Sequence, residues 1–226
     1  MQAVILAAGR GKGMLNLTNS IPKPMLKING KPLLEHKIEI LPGEIKEIIF
    51  VIGYRGEYIM DYFGHEFKGK KIRYIFQKNR NGTGGAVHLA RMFLENKFLV
   101  VYGDDLYRKK DLQKLTKHGL AILARETDDP SCFGIIKTDR KGNLLEITEK
   151  PKKSKEKLAV VGIFMLNKKF FDYELVSIGK GEFGLPQTLV KMAKDYPIKI
   201  IKATRWHPIN NPDDLKAAEQ AINEFI

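Results

Sequence analysis

Cysteine is almost absent from this sequence, and its scarcity excludes several classes of protein. The 226 residues include one cysteine, Cys132. A single thiol cannot form an internal disulfide, and it cannot provide the paired spacing of a zinc site. We therefore expect no disulfide framework and no structural zinc, and we expect Cys132 to be an ordinary small residue of the core.

Long apolar segments, low-complexity stretches and internal repeats are also missing. No apolar run approaches the roughly 20 residues of a transmembrane helix. The run that follows Gln2 lacks a basic start and is too short for a signal peptide. We expect a cytoplasmic location, no membrane partner, and a single domain that spans residues 1–226.

Acidic residues are outnumbered by basic ones, 26 against 39, which gives a formal net charge of +13. Such an excess suits polyanionic ligands, of which nucleotides are one class. The basic residues are spread along the chain and do not alternate with aromatic residues, so we predict no nucleic-acid partner. The Lys-rich, Ile-rich composition is also typical of thermophilic proteins.

Strand-like and helix-like segments alternate through the first half of the chain. Hydrophobic periodicity predicts strands at 3–7, 48–52, 72–77 and 98–102, and helices at 32–41, 57–63 and 83–94. This order predicts an α/β fold, namely a Rossmann-like three-layer sandwich around a mainly parallel mixed sheet.

The second half has a different pattern. Strands are predicted at 133–138, 144–148, 158–166 and 198–201, and helices at 168–177, 185–194 and 212–225. Gly162 lies inside a predicted strand, which often marks the close approach of a ligand or of another backbone. Asn211 and Pro212 are suited to begin the last helix, as its N-cap and its first residue.

A glycine-rich loop at 9–13 follows the first predicted strand. Glycines allow backbone N–H groups to approach a phosphate chain closely. The spacing is not that of a dinucleotide-binding fingerprint, because the third glycine comes one residue too early. It is not a Walker A loop either, since the lysine is followed by glycine. Lys23, placed between two prolines, adds a positive charge on a stiff segment. Together these features indicate the binding of nucleotide phosphates.

Further polar residues follow other predicted strands. Gln77 ends the third strand and Asp104 follows the fourth. Ligands of open α/β sheets bind at the carboxyl ends of the strands, so we expect these residues to converge with the glycine-rich loop. The Asp104 carboxylate would suit Mg²⁺, which takes a few oxygen ligands together with substrate phosphates. A capping aspartate is the alternative. Asp105 is expected to point elsewhere if the backbone stays extended.

Together these residues resemble the sugar-phosphate nucleotidyltransferase family, the sugar-nucleotide pyrophosphorylases. The resemblance extends over nearly the whole chain and is to the short form that consists of the catalytic domain. The matching segments are 6–11, 17–18, 22–26, Gln77, 82–86, 103–104, 133–134, 149–151, 162–164, Trp206 and 211–215.

The resemblance implies transfer of a nucleoside monophosphate from a nucleoside triphosphate to a sugar 1-phosphate, or to a related polyol or amino-alcohol phosphate. Pyrophosphate is released, Mg²⁺ is the cofactor, and a homo-oligomer is compatible with the family. A nucleotide-binding half would cover about 1–125, and a sugar-phosphate-binding half about 126–226. The implied catalytic residues are Lys23, Asp104 and Lys12, with Asp104 as the metal ligand. The implied nucleotide-binding residues are Leu6, Ala8, Gly9, Gly11, Gln77, Gly82 and Thr83. The implied sugar-phosphate-binding residues are Gly134, Glu149, Lys150 and Gly162.

Two positions depart from the family pattern. Gly13 stands where the family has an arginine that would stabilise the departing pyrophosphate, and Lys12 or Arg10 is the candidate substitute. Pro208 stands where the family has an aspartate that would share the metal with Asp104. Proline cannot ligate through its side chain, and His207 or Asn210 is the candidate neighbour.

These departures leave a second hypothesis open, in which the protein binds nucleotide or sugar phosphate as a regulatory module without turnover. A nicotinamide oxidoreductase is disfavoured by the glycine spacing. The nucleotide base stays open, because the amide of Gln77 offers both a hydrogen-bond donor and an acceptor. The phosphate acceptor stays open as well, because specificity for the sugar depends on the shape of the loops.

Overall fold

The computed structural model describes residues 1–225, and a large mixed sheet is its framework. The strands are β1 (Gln2–Ala7), β2 (Lys27–Ile28), β3 (Lys31–Pro32), β4 (Glu47–Ile52), β5 (Glu66–Phe67), β6 (Lys70–Phe76), β7 (Lys97–Tyr102), β8 (Leu106–Tyr107), β9 (Ala121–Glu126), β10 (Gly134–Thr138), β11 (Leu144–Glu149), β12 (Leu158–Asn167), β13 (Val176–Gly179), β14 (Glu182–Gly184), β15 (Lys199–Lys202) and β16 (Trp206–His207). The α-helices are α1 (Leu33–Ile40), α2 (Glu57–Phe63), α3 (Gly82–Leu89), α4 (Lys109–Leu115), α5 (Leu185–Met192) and α6 (Pro212–Ala221).

The large sheet has the strand order β11-β10-β12-β7-β1-β4-β6-β5, and β9 joins it by pairing with both β12 and β15. Its centre, β6-β4-β1-β7, is parallel, whereas β12 runs antiparallel to β7. The central strands β4, β1 and β7 are buried almost throughout, as expected of strands covered by helices on both faces. The α/β fold with a mixed, centrally parallel sheet is therefore confirmed.

Alternation along β1 divides the core into two layers. Ala3, Ile5 and Ala7 face a buried cluster that includes residues of α1, α2 and α4. Val4 faces the other cluster, which includes residues of α3 and α5. Each fully buried aliphatic side chain contributes about 1.5–3 kcal/mol to stability. The three-layer arrangement predicted from the sequence is present.

A third cluster lies beneath α6 and packs this helix against the segment that follows β1. Met14, Ile28 and Ile209 are among its buried members. The helix begins as the sequence predicts, because the Asn211 side chain accepts a hydrogen bond from the backbone N–H of Asp214 at 2.9 Å. Within residues 1–225, no helix is both long and apolar enough to cross a membrane.

Several expectations from the sequence were wrong or incomplete. The helix predicted at 168–177 is a 3₁₀ turn, Lys168–Asp172, followed by the hairpin of β13 and β14. The positive φ angles of Gly179, Lys180 and Gly181 make the turn of this hairpin. The strand β9 and the helix α4 were not predicted. Cys132 is exposed, so the expectation that it belongs to the core was wrong.

A buried carboxylate fixes the chain that returns toward β16. Asp111, on α4, is fully buried. Its Oδ2 accepts hydrogen bonds from the Thr204 backbone N–H at 2.7 Å, from the Thr204 hydroxyl at 2.9 Å and from the Arg205 N–H at 3.3 Å. Because the donors belong to the residues just before Trp206, this carboxylate determines where β16 begins.

We predict that Asp111→Asn lowers the free energy of unfolding by about 1–3 kcal/mol, because buried donors then lose a charged acceptor. The measurement is urea denaturation followed by circular dichroism. Asp61→Asn is the matched control, since Asp61 is exposed on α2. Equal stability of the two variants would contradict this role for Asp111.

Candidate active site

The glycine-rich loop after β1 packs against the stem of Lys23. Gly11 has a φ angle of 71°, a conformation that favours glycine. A β-carbon at Gly11 would come within 2.5 Å of the Lys23 Cβ. Gly11 therefore has two reasons to be glycine, the backbone conformation and the close approach of this lysine.

Lys23 and Asp104 form an ion pair between two elements that are distant in sequence. Lys23 begins a 3₁₀ turn after Pro22, and it is 7% exposed. Its Nζ lies 2.8 Å from Asp104 Oδ2, just beyond β7. The Asp104 side chain remains 41% exposed, so one face of the carboxylate is open to a ligand.

A first cavity, of about 250 Å³, opens at the carboxyl ends of β1, β6 and β7; we call it the nucleotide cavity. Every predicted nucleotide-binding residue lines it, together with Lys23 and Asp104. These predicted residues are Leu6, Ala8, Gly9, Gly11, Gln77, Gly82 and Thr83. The convergence expected from the order of the strands is therefore present.

The side chain of Gln77 is buried in this cavity, and its orientation is set by internal hydrogen bonds. Its Nε2 donates to Asn81 Oδ1 at 2.8 Å and to the Gly82 carbonyl at 3.2 Å. Both amide hydrogens are thereby used within the protein. The side-chain carbonyl oxygen of Gln77 is therefore the part of the amide that a ligand could contact, and it could only accept a hydrogen bond.

A second, larger cavity of about 620 Å³ adjoins the first; we call it the acceptor cavity. The two cavities share Thr83, Tyr102 and Asp104 as lining residues. Three of the four predicted sugar-phosphate residues line the acceptor cavity, namely Gly134, Glu149 and Gly162.

Two predicted lysines do not line either cavity. Lys12 is exposed at the beginning of a 3₁₀ segment, and Lys150 is exposed just after β11 with a positive φ angle of 43°. Arg10, the other candidate to replace the missing arginine, stacks its guanidinium 5.4 Å from the centre of the Tyr54 ring. The roles of Lys12 and Lys150 stay predictions.

The backbone at 103–105 turns and is not the extended chain on which the expectation for Asp105 depended, and Asp105 lines the acceptor cavity together with Asp104. Its carboxylate does not pair with Lys23 but holds the segment 206–209. Its Oδ2 accepts from the Trp206 indole N–H at 2.9 Å, and its Oδ1 accepts from the Ile209 N–H at 3.2 Å. Burial raises the pKa of this carboxyl to about 6; Asp104 acts in the same direction, and Lys37 opposes it.

Four polar residues in or next to the two cavities are among those that the sequence did not predict as site residues. Arg80 and Glu182 line the nucleotide cavity, and Tyr102 lines both cavities. Lys37 lies behind Asp105 in α1. The spacing of Lys37 could have indicated that it is buried, because it follows Leu33 by four residues and therefore lies on the apolar face of the helix.

The metal-binding capacity of the site rests on Asp104. Within the described residues, no three His, Cys, Asp or Glu side chains form a metal-binding cluster. The Nε2 of His207 lies 2.9 Å from the Asp214 carbonyl oxygen, and is thus committed to it. Asn210 lines the acceptor cavity with Asp104. One half-exposed carboxylate fits a cation whose other ligands are substrate phosphates and water.

Comparison with known proteins identifies the family. A family model described as nucleotidyl transferase matches residues 2–224. The chain belongs to the nucleotidyl transferase family. The bifunctional protein GlmU of Methanocaldococcus jannaschii is 34% identical over 229 residues, which cover 100% of this chain and 55% of that relative. The chain thus spans about half the length of the GlmU relatives it matches.

Two further comparisons extend this result. The D-glycero-alpha-D-manno-heptose 1-phosphate guanylyltransferase of Campylobacter jejuni is 36% identical over 175 residues, covering 76% of this chain and 78% of that protein. A crystal structure of a UDP-glucose pyrophosphorylase complexed with UDP-glucose superposes with a TM-score of 0.86 at 21% identity. It covers 99% of this chain and 98% of the other. The nucleotidyl transferase fold is therefore shared.

The structure also explains why position 13 is glycine in this member of the nucleotidyl transferase family. A β-carbon at Gly13 would collide with the backbone carbonyl oxygen of Asn210. Any side chain at position 13 must therefore displace the segment that leads from β16 into α6. The arginine that the family resemblance implies at this position does not fit here without that displacement.

We predict that Gly13→Ala lowers the melting temperature by several degrees, corresponding to about 1–3 kcal/mol of overpacking. Thermal denaturation is the measurement. Gly43→Ala is the control, because a β-carbon at Gly43 meets nothing within 4 Å. Full stability of Gly13→Ala would show that the Asn210 segment yields readily.

Proposed function

We propose that this protein transfers a nucleoside monophosphate from a nucleoside triphosphate to a sugar 1-phosphate, or to a related polyol or amino-alcohol phosphate, and releases pyrophosphate. In this proposal, the half at about 1–125 binds the nucleotide and the half at about 126–226 binds the acceptor. Family membership supports the reaction class. The similarity to a heptose 1-phosphate guanylyltransferase supports phosphorylated sugars as acceptors.

The observation that carries the proposal is the position of the Lys23–Asp104 ion pair. Lys23 lines the nucleotide cavity, and Asp104 lines both cavities. A triphosphate in one cavity and a phosphorylated acceptor in the other would meet beside this pair. Holding two polyanions in that orientation supplies much of the catalysis of phosphoryl-group transfer.

The proposed reaction makes one bond and breaks one bond. A phosphate oxygen of the acceptor attacks the α-phosphorus, and a new P–O bond forms. The bond from the α-phosphorus to the bridging oxygen breaks, and its electron pair leaves with pyrophosphate. Lys23 would neutralise charge on the phosphates during this displacement. The backbone of Gly9 and Gly11 leaves room for the phosphate chain in the nucleotide cavity.

We assign Mg²⁺ as the cofactor, with Asp104 as its protein ligand. When bound, the cation supplies Lewis-acid stabilisation of phosphate charge. Lys23 occupies only Oδ2 of Asp104, so Oδ1 is available to a metal. Since position 208 is a proline, the Asn210 side chain is the candidate for an additional oxygen ligand from the protein, directly or through water.

A second candidate function is the binding of nucleotide or sugar phosphate without turnover. Two observations favour it: the lack of space for a cationic side chain at Gly13, and the absence of a ligating side chain at Pro208. The two candidates differ in one respect that can be measured, which is the release of pyrophosphate.

We predict that the purified protein with Mg²⁺ releases pyrophosphate for a specific pair of substrates. The panel combines ATP, CTP, GTP, UTP and dTTP with sugar 1-phosphates, inositol phosphate and phosphocholine, at 37 and 80 °C. Asp104→Asn and Lys23→Met are each expected to lower kcat by about 10²-fold or more, because each removes charge stabilisation beside the reacting phosphates.

Asp61→Asn is the control for the loss of a carboxylate, since Asp61 is exposed on α2. Nucleotide binding is measured in parallel by calorimetry for each variant. Binding of a nucleoside triphosphate without pyrophosphate release by the wild type, across the whole panel, would reject catalysis and favour the regulatory function.

A further inference from the structure

Lys37 is a buried cation without a hydrogen-bond partner. It lies on α1, behind the acceptor cavity, and is 1% exposed. Its Nζ makes no hydrogen bond within residues 1–225. It lies 4.5 Å from the centre of the Tyr107 ring, so the aromatic face is one of its electrostatic partners.

A buried ammonium group destabilises the folded protein unless an opposite charge compensates it. Lys37 and Asp105 both line a small cavity of about 110 Å³, so the two opposite charges adjoin one shared space. Burial lowers the pKa of Lys37 to about 8, and the carboxylates of Asp105 and Asp104 oppose that shift. The arrangement therefore matches the positive charge of Lys37 to the negative charge of Asp105.

Tyr107 and Asp105, the two partners of Lys37, each hydrogen-bond to a residue that lines the acceptor cavity. The Tyr107 hydroxyl donates to the Val161 carbonyl at 2.6 Å, next to Gly162 on β12. On the other side, Asp105 holds Trp206 and the segment that leads to Asn210, through the two hydrogen bonds already described. Neither connection requires Lys37 to touch a substrate.

We propose that Lys37 is a positioning residue for the acceptor site: its buried charge compensates Asp105 and, together with Tyr107, holds the β12 wall and the Trp206 wall at a fixed separation. The catalytic consequence rests on the proposed function, whereas the structural consequence does not. The test therefore has one arm that does not depend on enzymatic activity and one arm that measures it.

The first arm uses Trp206, the single tryptophan of the chain, as a built-in reporter. Lys37→Met removes the charge at nearly unchanged length. We expect this variant to shift the emission of Trp206 and to increase its quenching by acrylamide, because Asp105 loses its compensating charge and releases the indole. Lys110→Met, an exposed position on α4, is the matched control and leaves the emission unchanged.

The second arm separates acceptor from nucleotide. We expect Lys37→Met to lower kcat/KM for the acceptor phosphate about tenfold or more, since small displacements of a binding wall have large effects. The Kd of the nucleoside triphosphate should change less than about twofold, because the nucleotide cavity does not include these residues. A general loss of stability would affect both substrates alike.

Asp105→Asn completes a double-mutant cycle. Because the two charges compensate each other, Lys37→Met combined with Asp105→Asn is expected to lose less than the sum of the two single losses, in stability and in Trp206 quenching. If Lys37→Met alone does not fold, recovery of folding in the double variant supports the proposal. Failure of the double variant, when Asp105→Asn alone folds, overturns it.

Three other results would also overturn the proposal: unchanged Trp206 emission in Lys37→Met, additive effects in the cycle, and equal losses for nucleotide and acceptor. If the wild type releases no pyrophosphate, the proposed function fails. The fluorescence and stability measurements then decide on Lys37 by themselves.

Discussion

The parallel pairing of β1 with β4 on one side and with β7 on the other is the constraint on which the site depends. Leu6 pairs with Val51 of β4 and with Tyr102 of β7, so the three strands end at the same level. The glycine-rich loop and Asp104 begin immediately beyond these pairs. The ion pair between Lys23 and Asp104 forms because the sheet brings together two loops that lie 81 residues apart in sequence.

The two consecutive carboxylates after β7, those of Asp104 and Asp105, make different contacts. Asp104 lines both cavities and pairs with Lys23, while Asp105 lines the acceptor cavity and also the small cavity that it shares with Lys37. Each carboxylate thus has its own neighbouring lysine, Lys23 for Asp104 and Lys37 for Asp105. Since a buried charge is tolerated only with compensation, the inner pair limits which residues can occupy the interior of α1. At this dipeptide, the residue that pairs with Lys23 is therefore adjacent in sequence to the residue that holds Trp206.

The sequence predicts what depends on local pattern and on strand order. The alternation of strands and helices was sufficient for the fold class, and the positions after strands were sufficient to bring Gln77 and Asp104 into one cavity. Contacts made across the chain were not predictable in this way. The 3₁₀ turn and hairpin at 168–184 depend on three successive positive φ angles, which helical periodicity does not reveal. In the sequence, Lys37 is an ordinary polar residue within a predicted helix. Its proximity to Asp105 becomes visible only in the structure, where both residues line one small cavity.

The two departures from the family pattern lie at one place in the structure. Gly13 packs against the Asn210 carbonyl, two residues beyond Pro208, so the loop after β1 and the segment after β16 are in direct contact. An arginine at position 13 would need space that this segment occupies. An aspartate at position 208 would lie in the same segment, whose path is fixed by Asp105 at Ile209. The two departures therefore lie in two segments that contact each other. Since a side chain at position 13 would displace the segment that carries position 208, the two positions must be considered together.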